Sequence, residues 1–520
     1  MNKFYKVIWS NILQNWVVVS ELSTSTKKKI SVSLLGGGFS FFSCFASAAD
    51  ITCIFGACSA DGDITVSTSL NLNDKNAGSD SVLNIGNTSE SEVNVVYGGE
   101  LTTSLINVGK GGEGTLNIIN GGGVNISGYA YAYPLSVGNG YEGTINVNGN
   151  GSFLNYNVPE GGGTELNIGN QSPGYLNITN GGKFISTQSG GSWGLYAGGR
   201  GGASGVIKVS GKGSLFEPPN RLYVGVWGDG KLEVTSGGIV NTPKFQMGYI
   251  ASGEAIVSGT GSQLNIDNTA VIVSTTDINA RGTLIINNGG KVTADTIDLG
   301  STDIYDKPST GVAEVLIGGE DNNIIQEAGI LDANKFIFRG ENTSLTINHA
   351  SDNFNLVSDI SSQGRYDYKN HYYYGSINAV HGLTTLSGNN SDYNGALNIS
   401  SPARINVTEQ NNLGNATIAN DGTLSITSQG NWTFSNTMTG LGFLDVNTGN
   451  NTFSFQNATN TAGFRGTLML SDTSFDLNGD NTAALVYSSL YAGSGSMVTV
   501  GTGTQNIDGL GFNGGTVDFG

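Results

Sequence analysis

Residues 114–124 read Gly-Thr-Leu-Asn-Ile-Ile-Asn-Gly-Gly-Gly-Val, and variants of this string recur along the chain. They begin at Gly143 (GTINVNGNGSFL), Gly174 (GYLNITNGGKF), Gly205 (GVIKVSGKGSLF), Gly230 (GKLEVTSGGIV), Gly253 (GEAIVSGTGSQL) and Gly282 (GTLIINNGGKV). Looser copies start at Ser91 and Gly311, so nine units recur every 27.5 residues on average. Each unit holds a pair of apolar residues two positions apart, as in Leu116/Ile118, Ile145/Val147, Leu176/Ile178 and Leu232/Val234. That spacing places both side chains on one face of a strand. The residue between them is Asn117, Asn146, Asn177, Lys208 or Glu233 in five units, so the opposite face meets water. A turn follows, alternately Gly-Gly (121–122, 181–182, 237–238, 289–290) and Gly-x-Gly-Ser (149–152, 211–214, 259–262). Glycine there supplies positive φ without a Cβ penalty. An apolar residue then points inward again: Val124, Leu154, Phe184, Phe216, Val240.

A unit this short cannot bury its own apolar face, but stacked units can. The spacing varies between 23 and 31 residues, which a solenoid absorbs by lengthening a loop at one edge. Propeller blades are longer, about 40 to 50 residues. The expected fold is therefore all-β, a right-handed parallel β-helix of two or three short strands per unit. At about 25 residues and 4.8 Å per rung the rod should be roughly 90 Å long. Residues 81–330 hold the glycine-rich repeats, and residues 49–80 are expected to cap the mature chain. Residues 331–520 carry longer units, such as 382–407 and 442–477, that should continue the same path.

Composition narrows the function. Glycine supplies 80 of 520 residues with no period of three, and only 12% of residues are charged, which excludes a collagen and a charge-driven disordered chain. Lysine and arginine number 23 against 41 acids, a net charge of −18, so no nucleic-acid partner gripped through phosphates is expected. Three histidines and three cysteines leave little for a metal centre, and no metal or cofactor is expected.

The amino terminus reads as an export signal. Lys27 to Lys29 precede an apolar run from Ile30 to Phe45, then Ala46-Ser47-Ala48 offers a small-x-small cleavage site between Ala48 and Ala49. The run contains Gly36-Gly37-Gly38 and is too short and weak to span a membrane as a helix. A lipoprotein reading around Cys44 lacks the usual leucine three residues earlier. Cleavage after Ala48 leaves 18 basic against 40 acidic residues, a net charge of −22, with Cys53 and Cys58 as the remaining cysteines. An oxidising compartment favours a disulfide between them. The alternatives are two free thiols, or a zinc site for which no further ligands lie nearby.

The leader itself carries a resemblance. Met1-Asn2-Lys3, Tyr5-Lys6-Val7-Ile8-Trp9 and Trp16-Val17-Val18-Val19-Ser20-Glu21-Leu22 resemble the extended signal-peptide region of Gram-negative type V secretion proteins. The glycine repeats are similar to those of autotransporter passengers of the diffuse-adherence (AIDA-like) adhesin group. This resemblance implies a surface passenger carried out by an outer-membrane translocator barrel, with serines and threonines open to heptosylation. After Phe519-Gly520 no linker helix or series of barrel strands follows, so no carboxy-terminal barrel is expected within this chain.

Several motifs bear on chemistry. Gly109-x-Gly111-x-x-Gly114 and Gly138-x-Gly140-x-x-Gly143 match a dinucleotide fingerprint, which works only between a strand and a helix, and here each opens another strand. Gly190-Gly191-Ser192-Trp193-Gly194 matches a nucleophile elbow, yet His349, His371 and His381 all lie far downstream. Asp298, Asp303, Asp306 and Lys307 form the densest acid–base mix and read as a solvated loop between rungs. Asp61-Gly62-Asp63 and Asn478-Gly479-Asp480 lack the ordered oxygen series of a calcium loop. No catalytic residue is therefore expected. Tyr366, Tyr368, Tyr372, Tyr373 and Tyr374 fall within nine residues and offer flat apolar faces with hydroxyls, either as a recognition loop or as packing over the rod. Tyr129, Tyr131 and Tyr133 form a second stripe, better read as packing.

The expected function is that of a non-enzymatic adhesin or self-association factor at the cell surface or secreted. Its partners would be a host-cell or bacterial surface glycan or protein, or another copy of itself. The alternative is a secreted β-helix enzyme acting on polysaccharide.

Overall fold

The computed structural model describes residues 5–10, 15–20, 51–54, 57–73, 81–127, 133–157, 165–187, 194–199, 201–272, 279–300, 311–319, 325–340, 342–363 and 374–520. Nearly every element is a short strand paired in parallel with the strand one repeat away, which is a parallel β-helix solenoid. Each unit contributes three strands. In one rung these are Leu105–Val108, Gly114–Ile119 and Gly123–Ile126, and in the next Leu135–Val137, Gly143–Asn148 and Phe153–Tyr156. Stacking the first, second and third strands of successive units builds three walls.

The second wall runs through a single sixteen-stranded sheet from Gly62–Val66 to Gly463–Phe464, about 70 Å at the usual strand spacing. It crosses residue 331 without a break. The first and third walls belong to a 21-stranded sheet, joined where Lys291–Leu299 and Ile330–Phe338 run straight through the corner between them. Further on, an eight-stranded and a five-stranded sheet flank the rod, the latter beginning at Trp432–Phe434. Among the described residues the one α-helix is the short segment Asp480–Ala484, between the strands Ser474–Leu477 and Ser489–Ala492.

Register explains why the repeat string decides the fold. Ile64, Val93, Leu116, Ile145, Leu176, Ile207, Leu232, Ala255, Leu284, Val315 and Leu345 pair in succession, each at most 1% exposed. The other member of each apolar pair builds a second column beside it, through Ile118, Val147, Ile178, Val209 and Val234. Each buried aliphatic side chain contributes about 1.5–3 kcal/mol, and neighbouring rungs supply the surface that a lone unit lacks. That second column ends in a polar residue: Asn420 follows Ile399 in register, is fully buried, and donates 2.8 Å to the Phe443 carbonyl. Beyond it the interior is aromatic, with Phe453 against Phe455 at 5.2 Å and against Phe475 at 6.2 Å between ring centres.

The segment expected to cap the mature chain, residues 49–80, contains a rung of its own. Ala57–Ala60, Gly62–Val66 and Leu70–Asn71 already form a full rung that pairs with the next unit on all three walls. The cap proper is Ile51–Ile54, which turns back antiparallel onto Ala57–Ala60. Cys53 and Cys58 face each other across this hairpin and are joined by a disulfide.

The Gly-Gly turns also refine the reading of glycine. Asn180 and Gly181 carry the positive φ, at 52° and 91°. Gly182 does not; a Cβ there would collide with the Val147 carbonyl oxygen of the preceding rung. One glycine is needed for its dihedral and the next for its lack of a side chain.

Candidate binding surface

The outward side of the second wall is the most regular exposed feature of the rod. Two columns of alternating residues cover it: Asp63, Glu92, Thr115, Thr144, Tyr175, Val206, Lys231, Glu254 in one, and Asn94, Asn117, Asn146, Asn177, Lys208 in the other. The asparagines form an amide ladder. Asn117, Asn146 and Asn177 each donate from Nδ2 to the Oδ1 of the asparagine one rung earlier, at 3.0, 2.8 and 2.9 Å. A shorter ladder of the same kind links Asn84, Asn107 and Asn139 at 2.8 and 2.9 Å. Charge on the second wall is ordered along the rod. At the amino-terminal end the charges are all acidic, with Asp63, Glu90, Glu92 and Glu113 lining a hollow of about 370 Å³, whereas farther along Lys208 and Lys231 are interleaved with Glu233 and Glu254. Lys231 is held at 2.9 Å from Glu254 and 3.2 Å from Glu233, which raise its pKa despite burial of its stem.

The turns at the edge of this wall are fastened to one another. Ser152, Ser214 and Ser262, the serines of the Gly-x-Gly-Ser turns, are each at most 1% exposed. Each hydroxyl donates at 2.8 Å to a carbonyl four residues earlier, that of Asn148, Ser210 or Ser258. Each accepts at 3.0 Å from the first glycine amide of the Gly-Gly turn one rung away: Gly121, Gly181 or Gly237. The alternation of turn types in the sequence is therefore a pairing of turns, and these serines were legible as a pattern but not as a contact. Ser214→Ala should leave the Gly181 amide buried and unpaired and cost about 1–3 kcal/mol. Thermal unfolding followed by circular dichroism measures it.

Other residues singled out in the sequence fall into distinct places. Ala48, Ala49, Tyr366, Tyr368, Tyr372, Tyr373, Ser192, His371, Asp303, Asp306, Lys307, Tyr129 and Tyr131 lie outside the described residues. Tyr374 is half-buried, and its carbonyl accepts from Ser362 at 2.8 Å. Tyr133 is 38% exposed, more than a purely packed ring. Gly109 to Gly114 and Gly138 to Gly143 form corners between the first and second walls, each leading into a strand, so no helix terminus is present to receive phosphate. Asp298 is buried, with Oδ2 at 2.7 Å from Arg339 Nε. Burial raises its pKa while Arg339 opposes the shift, which marks a structural ion pair. Asp61 accepts from the Thr88 amide at 2.8 Å, and no group of three or more potential metal ligands converges among the described residues. Sequence reading missed one aromatic site. Tyr196 and Tyr223 stack at 4.5 Å on the outward side of the first wall, and Arg221 lies over Tyr223 while donating 2.8 Å to its hydroxyl. The matching strings Leu-Tyr-Ala-Gly (195–198) and Leu-Tyr-Val-Gly (222–225) were its signal.

His349 is fully buried, its Nε2 at 2.9 Å from Thr384 Oγ1, its ring against Phe354, and its carbonyl held by His381 Nδ1 at 3.0 Å. Burial is the main cause lowering its pKa, with the nearby His381 acting in the same sense. The folded chain thus binds this proton less tightly than the unfolded chain. Its effect on stability is nil above the ordinary value of 6.5 and becomes a loss as pH falls below it. A melting temperature that declines through that window in the native chain, and declines less in His349→Gln, is the expected result.

Comparison with known proteins adds the route. Residues 1–49 match the family described as the extended signal peptide of the type V secretion system. The chain is therefore type V secreted, of autotransporter type, and travels through the periplasm to the cell surface or beyond. It is 39% identical over 326 residues to the uncharacterized protein YuaQ of Escherichia coli (strain K12), covering 62% of this chain and 22% of that protein. It is 31% identical over 317 residues to the uncharacterized lipoprotein YdeK of the same organism, covering 57% of this chain and 22% of that protein. The chain thus spans about a fifth of the length of these curated relatives.

Proposed function

We propose that this chain is the rod of a non-enzymatic adhesin of the diffuse-adherence group, and that it works by self-association through the outward face of its second wall. The order of charge along that face carries the reading. Take a two-fold axis along the strand Gly143–Asn148 and lay a second copy antiparallel on the first. Asp63 then meets Lys231, three rungs to either side of that strand and in the same column, while Glu92, two rungs out, faces Val206 with Lys208 two residues further along the same strand. The neutral threonine and asparagine rows lie between. Such a contact is isologous, and many weak copies of it between cells would add as avidity.

Cells displaying the chain should clump, and clumping should weaken as salt screens the pairs. Lys208→Glu with Lys231→Glu should abolish clumping of a homogeneous culture. Mixing those cells with cells carrying Asp63→Lys and Glu92→Lys should restore mixed clumps. Clumping that survives the lysine reversal would refute this face. A second reading, an enzyme on polysaccharide, predicts sugar release by purified chain, lost in Asp303→Asn.

A further inference from the structure

The turns carry Asn–Gly pairs, and each holds a latent reaction. The glycine amide nitrogen can attack the asparagine Cγ, forming a C–N bond and expelling ammonia to leave a cyclic imide. Water then opens either imide carbonyl to give aspartate or isoaspartate. Glycine hinders the attack least, having no Cβ beside its nitrogen. The nitrogen must give up its proton and approach the neighbouring side chain, so a hydrogen bond from it to another acceptor opposes the step.

The rod treats these pairs unequally. In Asn120–Gly121 and Asn180–Gly181 the glycine N–H is held at 3.0 Å by Ser152 Oγ and Ser214 Oγ respectively. Both hydroxyls are buried and anchored in turn on backbone carbonyls at 2.8 Å. Both asparagines are also fixed in the left-handed region, at φ 53° and 52°. Asn478–Gly479 has none of this. Both residues are exposed, no atom lies within 4 Å of a Cβ built on Gly479, and among the described residues its amide finds no acceptor. The Asn478 side chain makes no hydrogen bond there either.

We propose that Asn478 is a site of spontaneous deamidation, and that the buried serines of the alternate turns guard Asn120 and Asn180 by occupying the amide nitrogens that would attack them. The product at position 478 adds a negative charge beside Asp480, and the isoaspartyl form inserts a methylene into the backbone.

The test is peptide mapping by mass spectrometry of the full chain held at mildly alkaline pH, with isoaspartate read by enzymatic methylation. Asn478 should convert at least about tenfold faster than Asn120 or Asn180, the factor a single hydrogen bond carries. Ser214→Ala should accelerate Asn180 by a similar factor and leave Asn120 at its native rate, while Ser152→Ala does the reverse. Ser262→Ala removes the same kind of clamp from a Ser–Gly pair and should change neither. Equal rates at Asn478 and Asn180 in the native chain would overturn the proposal. So would equal acceleration of Asn120 and Asn180 in either serine variant, which would mean that the serines act by holding the rod together.

Discussion

Ile178→Asp should unfold the rungs around it. Ile178 sits in the strand Gly174–Thr179 with no exposure, stacked between Val147 and Val209 of the neighbouring rungs. A carboxylate there would have apolar neighbours in both directions and no partner. Removing a buried isoleucine side chain costs about 2–5 kcal/mol, and an unpaired buried charge adds several more. Because each rung stands only on its neighbours, the loss spreads along the stack. The adjacent change Asn177→Asp is the control. Asn177 points outward, and Asp would lose the 2.9 Å donation to Asn146 while facing Lys208 in register. Exposed changes of this kind stay within about 1 kcal/mol. Circular dichroism melts of the two variants should therefore differ sharply, and equal losses would reverse the assignment of faces.

Gly143→Ala should be nearly as damaging, although it adds one methyl group. Gly143 closes the corner between the first and second walls, and a Cβ there would lie 2.6 Å from the Val108 carbonyl oxygen and as close to the Gly138 amide nitrogen. Both obstacles are backbone, so no rotamer change relieves them. Opening the corner would break the strand pairing that Gly143 makes with Gly114 and Gly174. The expected cost is about 3 kcal/mol or more, as for overpacking a rigid interior. Gly98→Ala, at a turn with open space around it, should cost less, since only its positive φ of 75° is strained. The same collision explains why the chain repeats a glycine spacing that resembles a phosphate loop.

The fold was legible because its information is local and repeated. Leu176-Asn177-Ile178 states its own face by period two, and Gly181-Gly182 states the turn, and repetition turns one ambiguous strand into an architecture. Contacts that depend on distant partners were not legible. Asp298 read as a loop acid because Arg339, which buries it, lies 41 residues on in sequence. His349 read as one scattered histidine because Thr384 and His381 belong to the following unit. The serines at 152, 214 and 262 were visible as an alternation, but only the stacking of rungs shows that their hydroxyls reach the neighbouring turn. The charge order of the second wall was present in the sequence as single residues at irregular intervals, and register was needed to align them.

Register between rungs is the central claim, and engineered cross-links test it most directly. With Cys53 and Cys58 both changed to Ser, Asn146→Cys combined with Asn177→Cys places two thiols side by side on adjacent strands. Their Cα atoms should stand about 4.8 Å apart, within reach of a disulfide. Asn146→Cys combined with Lys208→Cys spans two rungs, about 9.6 Å, which is too far. Mild oxidation of the folded chain, followed by mass spectrometry, should give complete bonding in the first pair and none in the second. Bonding of the second pair in preference to the first would contradict the stacking of every rung.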